Sequence, residues 1–203
     1  MQNIPAYGPY AVTFNHYYRP GFSIWWLCMA IAAALPVEPR VITTSELTFP
    51  GSWYAPIGMP VSRFVLKRLA RVYGFSAMPP MPPREKDVLE RAACVRAVLS
   101  YVNENLDAVL VLAPEGGDQP GGRLNWPPPG LGRFAALLAS KGLSILPVAG
   151  WEQDGSLYVS FGQAYRLELG SLPAVVEKDR AVSAIVMRAI ADLLPEALRG
   201  DFA

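Results

Sequence analysis

Residues 108–117, Ala-Val-Leu-Val-Leu-Ala-Pro-Glu-Gly-Gly, decide how the chain is read. The run 108–112 is apolar throughout and leads into a proline, an acid and two glycines. A strand with one face in water alternates polar and apolar residues, whereas an unbroken apolar run belongs to a strand covered on both faces, as in a parallel sheet between helices. Working outward, strand patterns fall at 11–14 (AVTF), 40–45 (RVITTS), 144–148 and 157–161, the last alternating as a half-buried strand. Helical patterns fall at 23–35, stopped by Pro36, and at 61–73, 85–105 and 174–194. A fifth covers 131–141, with Gly142 at its C′ position. Alternation of this kind predicts a single-domain α/β fold, a central, mostly parallel mixed sheet flanked by helices.

Composition narrows the function classes. The chain has 203 residues, 52% of them hydrophobic and 17% charged, enough for one sizeable core and too apolar for disorder. Eighteen Lys and Arg against 17 Asp and Glu leave a net charge of +1, so no overall basic field exists for nucleic acid. One histidine and two cysteines, Cys28 and Cys94, with no CxxC, exclude a zinc site and a disulfide framework. The opening MQNIPAYGPY does not resemble a secretory signal. The longest apolar run, 24–35, is too short to span a bilayer, which takes about 20 residues. Five tryptophans and a mean hydropathy of +0.22 still suit a protein that rests on a membrane.

Charge placement says more than its total. Residues 1–84 carry net +5 and the remainder net −4, and no acid lies between Glu46 and Glu85. At about 100° per residue, Arg63, Lys67, Arg68 and Arg71 share one arc of the 61–73 helix, opposite Val65, Leu66, Leu69, Val72 and Tyr73. The basic arc is read either as a solvated face or as one that meets anionic lipid headgroups or a phosphorylated substrate.

Chemistry-bearing residues cluster at strand ends. Asn15-His16 follows the first strand, and His16 is the one side chain whose unperturbed pKa, about 6.5, suits general-base work near neutrality. Glu115, Gly116, Gly117 and Asp118 follow strand 108–112, where α/β proteins gather ligand-binding groups. No Gly-x-Ser-x-Gly elbow and no P-loop Gly-Lys-Ser/Thr is present. Cys28 sits in an apolar helix and reads as core.

Asn15-His16, Ala113-Pro114-Glu115-Gly116, the helix entry Gly130-Leu131-Gly132, the strand Leu146-Pro147-Val148 and the ending Leu193-Leu194-Pro195 through Leu198-Arg199-Gly200 form an ordered package over nearly the whole chain. It resembles the glycerolipid acyltransferases of lysophosphatidic acid type. The resemblance implies a glycerol-3-phosphate acyltransferase-like fold, with His16 as general base and Glu115 as its catalytic companion. It further implies transfer of a fatty acyl group from acyl-CoA or acyl-carrier protein to a lipid hydroxyl, with no cofactor or metal, at the inner face of the cell membrane. Three positions differ from that family. Gly21 stands where the family has the Asp that orients the histidine, Gly117-Asp118 replace Thr-Arg, and Pro80 stands where a phosphate-binding Arg falls. Asn15, Gly116, Gly117 and Asp118 are therefore the expected substrate contacts, with Arg19, Arg84 and Arg123 to replace the missing arginines. Tyr17, Tyr18, Glu115 or Asp118 would hold the imidazole tautomer. The other reading of the same differences is a weakened relative that only binds a lipid or acyl chain.

Overall fold

Strand, helix and loop positions follow from a computed structural model, which describes residues 3–81, 84–118, 120–168, 170 and 175–203. Six strands form one sheet in the order β3-β2-β4-β1-β5-β6. They are β1 (Tyr10–Phe14), β2 (Arg40–Thr44), β3 (Ser76–Met78), β4 (Val109–Leu112), β5 (Ser144–Gln153) and β6 (Ser156–Phe161). The first five run parallel, and β6 turns back against β5 as an antiparallel hairpin. The expected α/β single-domain sheet is what the chain forms. Five helices connect the strands: α1 (Ile24–Ala34), α2 (Ala55–Val72), α3 (Val88–Glu104), α4 (Leu131–Ser140) and α5 (Val175–Ala191). The start expected for the last helix, Ala174, lies outside the described residues, as do Pro82 and Pro83 of the 78–83 proline connector.

Alternation along the central strands sorts the core into two layers. Tyr10, Val12 and Phe14 of β1 pack with Leu27, Cys28 and Ile31 of α1 on one face. Ala11 and Leu110 pack on the other with Val98, Ala135, Leu138, Val182 and Val186 of α3, α4 and α5. The connection leaving β1 therefore passes over one face and that leaving the adjacent β4 over the other. Side-by-side parallel strands whose exits diverge open a crevice at their carboxyl ends, the usual ligand position in open α/β sheets.

Three boundaries differ from expectation. β3 is a three-residue edge strand whose Ser-Ala-Met sequence carries no apolar pattern. α2 begins six residues before residue 61, passing through Pro56 in its first turn and Pro60 inside; proline is tolerated near a helix start because those N–H groups have no helical partner. β5 runs five residues past 148 to make the hairpin, through Asp154 and Gly155 at φ +51° and +73°, the left-handed pair of a two-residue turn.

Asp179 of α5 fixes the entry of α4 by accepting hydrogen bonds from Gly130 N–H (2.9 Å) and Arg133 N–H (2.8 Å). At the other end Leu143 N–H reaches Leu138 O and Gly142 N–H reaches Ala139 O, the paired closure of a left-handed glycine cap. The α4–α5 crossing needs a glycine at 132, where an added Cβ falls 1.9 Å from Asp179 O. Gly132→Ala is expected to lower stability by about 1–3 kcal/mol through overpacking. Urea denaturation checks this, with Gly117→Ala as control because nothing lies within 4 Å of its Cβ position; equal midpoints for wild type and Gly132→Ala would contradict the close crossing.

Candidate functional site

The loops leaving β1 and β4 meet at the crevice through a buried carboxylate. Glu115 is 4% exposed; its Oε2 accepts from His16 N–H at 2.6 Å and its Oε1 from Asn125 N–H at 3.0 Å. His16 and Glu115, 99 residues apart in sequence, are thus brought together. Their contact runs through the histidine backbone and leaves the ring free. Burial pushes the Glu115 carboxyl up to about 7, against the lowering effect of the two amide bonds. In place of the expected catalytic companion, Glu115 is a strut that fixes the histidine main chain and the 125 loop.

Asn15 fixes the same segment from the other side. It is 1% exposed, its Nδ2 donates to Gly150 O (2.9 Å), and its Oδ1 accepts from Gly150 N–H (2.7 Å). The side-chain amide stands in for a strand neighbour one step beyond the last β1–β5 pair, Phe14 with Val148. Both its functions face Gly150, so Asn15 is a clamp where a substrate contact was expected. Gly150 itself accepts Leu27 of α1 where a Cβ would stand.

The ring is met by a different acid. His16 Nδ1 lies 3.1 Å from Asp118 Oδ1, with the His side chain 14% and the Asp side chain 57% exposed. The contact is at ion-pair distance without hydrogen-bond alignment, and Nδ1 is a buried ring nitrogen with no aligned partner among the described residues. Asp118 arrives there because Gly116 takes a left-handed φ of +72°, turning the chain immediately after Glu115; a Cβ at Gly116 would meet Met81 Cγ at 2.9 Å. Burial lowers the imidazole pKa below its ordinary 6.5, with Asp118 acting in the opposite direction. The ring is therefore neutral at neutral pH, and an anion beside Nδ1 favours the tautomer with its proton there and its lone pair on Nε2. Of the four groups considered to hold the tautomer, Asp118 faces Nδ1; Tyr17 instead packs edge-on to Phe22 at 5.4 Å.

The cations expected at the site are engaged elsewhere. Arg19 forks onto Glu152 through Nε and Nη2, the latter at 2.7 Å. Arg84 binds Glu46 at 2.8 Å and also Asp87. Arg123 is exposed and shares a shallow cavity of about 570 Å³ with Glu196, Ala197, Gly200 and Ala203. Arg91, which the sequence reading did not single out, donates to Pro79 O and Pro80 O and so anchors the proline connector where the family arginine would stand. On α2, Arg63 and Lys67 turn inward onto Glu90, Arg63 at 2.6 Å, while Arg68 and Arg71 are exposed. Burial pushes the Cys28 and Cys94 thiols up to about 11, leaving neither as a thiolate at neutral pH.

A scan against protein-family models matches none, and a search of curated proteins returns no match.

The Glu115 strut has a pH signature. A carboxyl whose folded-state pKa lies above its ordinary 4.5 binds its proton more tightly in the folded chain. Its contribution to stability is complete below about pH 4.5 and is lost as pH rises through about 7. Wild type is expected to lose up to about 3 kcal/mol relative to Glu115→Gln between pH 5 and 8. Parallel stability curves from urea melts across that range would show that Glu115 is ionised at no cost.

Proposed function

We propose that the chain is an acyltransferase, moving a fatty acyl group from acyl-CoA or acyl-carrier protein to a lipid hydroxyl such as that of a lysophospholipid, at the cytoplasmic face of the cell membrane. The observation that supports it is the neutral imidazole of His16 at the carboxyl ends of β1 and β4, with Asp118 3.1 Å from Nδ1. Asp118 takes the place of the family aspartate that position 21 lacks. No helix among the described residues is long and apolar enough to cross a membrane, which agrees with peripheral placement.

In the proposed reaction, His16 Nε2 removes the proton of the acceptor hydroxyl as its oxygen attacks the thioester carbonyl carbon. The tetrahedral intermediate collapses by breaking the carbon–sulfur bond, and the imidazolium returns the proton to the leaving thiolate. No covalent acyl-enzyme forms, and no cofactor takes part. Asp118 stabilises the transient imidazolium through Nδ1, while Glu115 and Asn15 keep the histidine main chain in place, so position supplies much of the rate.

Acyl-CoA supplied with a panel of lysolipids tests this. His16→Ala is expected to lower kcat/KM by about 10²–10⁴, and Asp118→Asn by up to about 10⁴. Asp118→Asn should also move the acid limb of the pH profile lower, because Asp118 opposes the burial that depresses the imidazole. Equal activity of wild type and His16→Ala rejects His16 as the base. Lipid binding without turnover in wild type identifies the chain as the acyl-binding relative.

A further inference from the structure

Helix α2 carries charges toward the protein and apolar side chains away from it. Only Ala70 of its 18 residues is buried. Its charged contacts with the body are Arg63 and Lys67 on Glu90 of α3 and Arg63 near Glu46 at 3.9 Å, with Glu46 itself 5% exposed; Ser62 Oγ also accepts from Leu47 N–H at 3.0 Å. On the opposite side Ile57, Phe64 and Val72 are 69%, 72% and 66% exposed, and Val61 and Val65 stand beside them. At about 100° per residue these five and Arg68 share one outward arc, with Arg71 on its border. Trp53, 89% exposed, and Tyr54 precede the first turn. A helix on a water-soluble surface has the reverse arrangement, and an exposed apolar patch of this kind marks a contact surface.

We infer that α2 is an interfacial helix that docks the protein on an anionic bilayer. Charge chooses this occupant over a second copy of the chain. No acid occurs between Glu46 and Glu85, and Arg68 and Arg71 have no acidic partner among the described residues. Two such faces brought together would set arginine against arginine, which costs association energy, whereas lipid phosphates neutralise both. Pro60, Arg63, Phe64, Lys67, Arg68 and Arg71 line a shallow cavity of about 380 Å³ on the flank of the arc, where a headgroup phosphate would meet Arg68 and Arg71 beside the two cations already paired with Glu90. The apolar arc enters the headgroup boundary and Trp53 and Tyr54 take the aromatic position of an interfacial anchor. This names the surface behind the peripheral placement in the proposed function; it rests on that reading for its setting alone, since docking needs no acyl transfer.

Co-sedimentation of the full chain with vesicles, without thioester or acceptor, tests the inference. Vesicles of phosphatidylcholine with a minority of phosphatidylglycerol are expected to carry the protein down, and to do so less at high salt. Val61→Ser with Phe64→Ser should weaken binding about tenfold or more, and Arg68→Gln or Arg71→Gln about fivefold each on the anionic vesicles. Trp53 emission should shift to the blue on binding. These side chains are exposed, so circular dichroism and melting should match wild type. Wild type left in the supernatant, undiminished binding by the serine pair, or a dimer in vesicle-free solution that the serine pair disperses would each overturn the inference. Vesicle binding with no acyl transfer removes the proposed chemistry and keeps the dock; acyl transfer to a soluble acceptor with no vesicle binding does the opposite.

Discussion

A carboxylate with no cation beside it among the described residues holds the centre of this molecule together. Glu115 is nearly inaccessible, and its two oxygens take one backbone N–H from the loop after β1 and one from the 122–126 loop. Burying an ionised carboxylate is costly, and two amide donors offset only part of that cost, so the group stays half-protonated near neutrality. In return, two parts of the β4–α4 connection are fixed to each other and to the loop after β1, 99 residues away. The Asn15 amide completes the arrangement by pinning the residue before His16 to Gly150 of β5. His16 is therefore held through its main chain on two sides, and its ring remains available for Asp118 and for whatever enters the crevice. On the proposed reading, positioning and chemistry fall to different groups.

The fold was legible where burial leaves a compositional trace. Parallel strands covered on both faces must be apolar throughout, and 108–112 and 145–148 show it; Gly142 marks its helix end because only a residue tolerant of φ +88° closes the cap there. β3 left no trace because three residues at a sheet edge bury too little to select a pattern. The hairpin did leave one, Asp154-Gly155 between alternating runs, and that dipeptide would have carried β5 past residue 148. At the site, the convergence of His16 and Glu115 was readable, but the backbone contact between them was not. Whether a glutamate faces a ring or a backbone amide depends on a single χ rotation, and composition does not record it. The arginines were misplaced for a related reason. Arg19 finds Glu152 from 133 positions away and Arg84 finds Glu46 from 38 away, pairings that only the closed sheet creates.

The 61–73 periodicity put Arg63, Lys67, Arg68 and Arg71 on one arc, and the structure divides it, turning Arg63 and Lys67 inward and leaving Arg68 and Arg71 exposed. A helical pattern reports angular separation; which arc faces inward depends on the wall it meets. Here the wall presents Glu90 and Glu46, so Arg63 and Lys67 turn to it and the apolar arc is left outside. Transferring about half of each of the four large side chains Ile57, Val61, Phe64 and Val72 from water into an apolar boundary gains on the order of 5 kcal/mol. Two arginines near anionic headgroups add about 1 kcal/mol each. Such a sum fits reversible attachment, well short of the anchoring strength of a spanning helix.

Topology links that surface to the crevice. Because β2 runs parallel to β1 and β4, the segment leaving it starts from the same sheet edge as His16, and α2 begins only a short loop later, behind Trp53 and Tyr54. The aromatic end of α2 thus belongs to the edge on which the imidazole sits. On the proposed reading, with α2 in a bilayer boundary, that edge faces the headgroup layer, an acceptor lipid reaches His16 by lateral diffusion, and a water-soluble thioester approaches from the aqueous side. On the proposed reading, the two substrates meet without either crossing the other's phase. The ionic seat of α2 is what allows this: an apolar seat would turn its hydrophobic arc inward, and the sheet edge would then have no preferred orientation at a membrane surface.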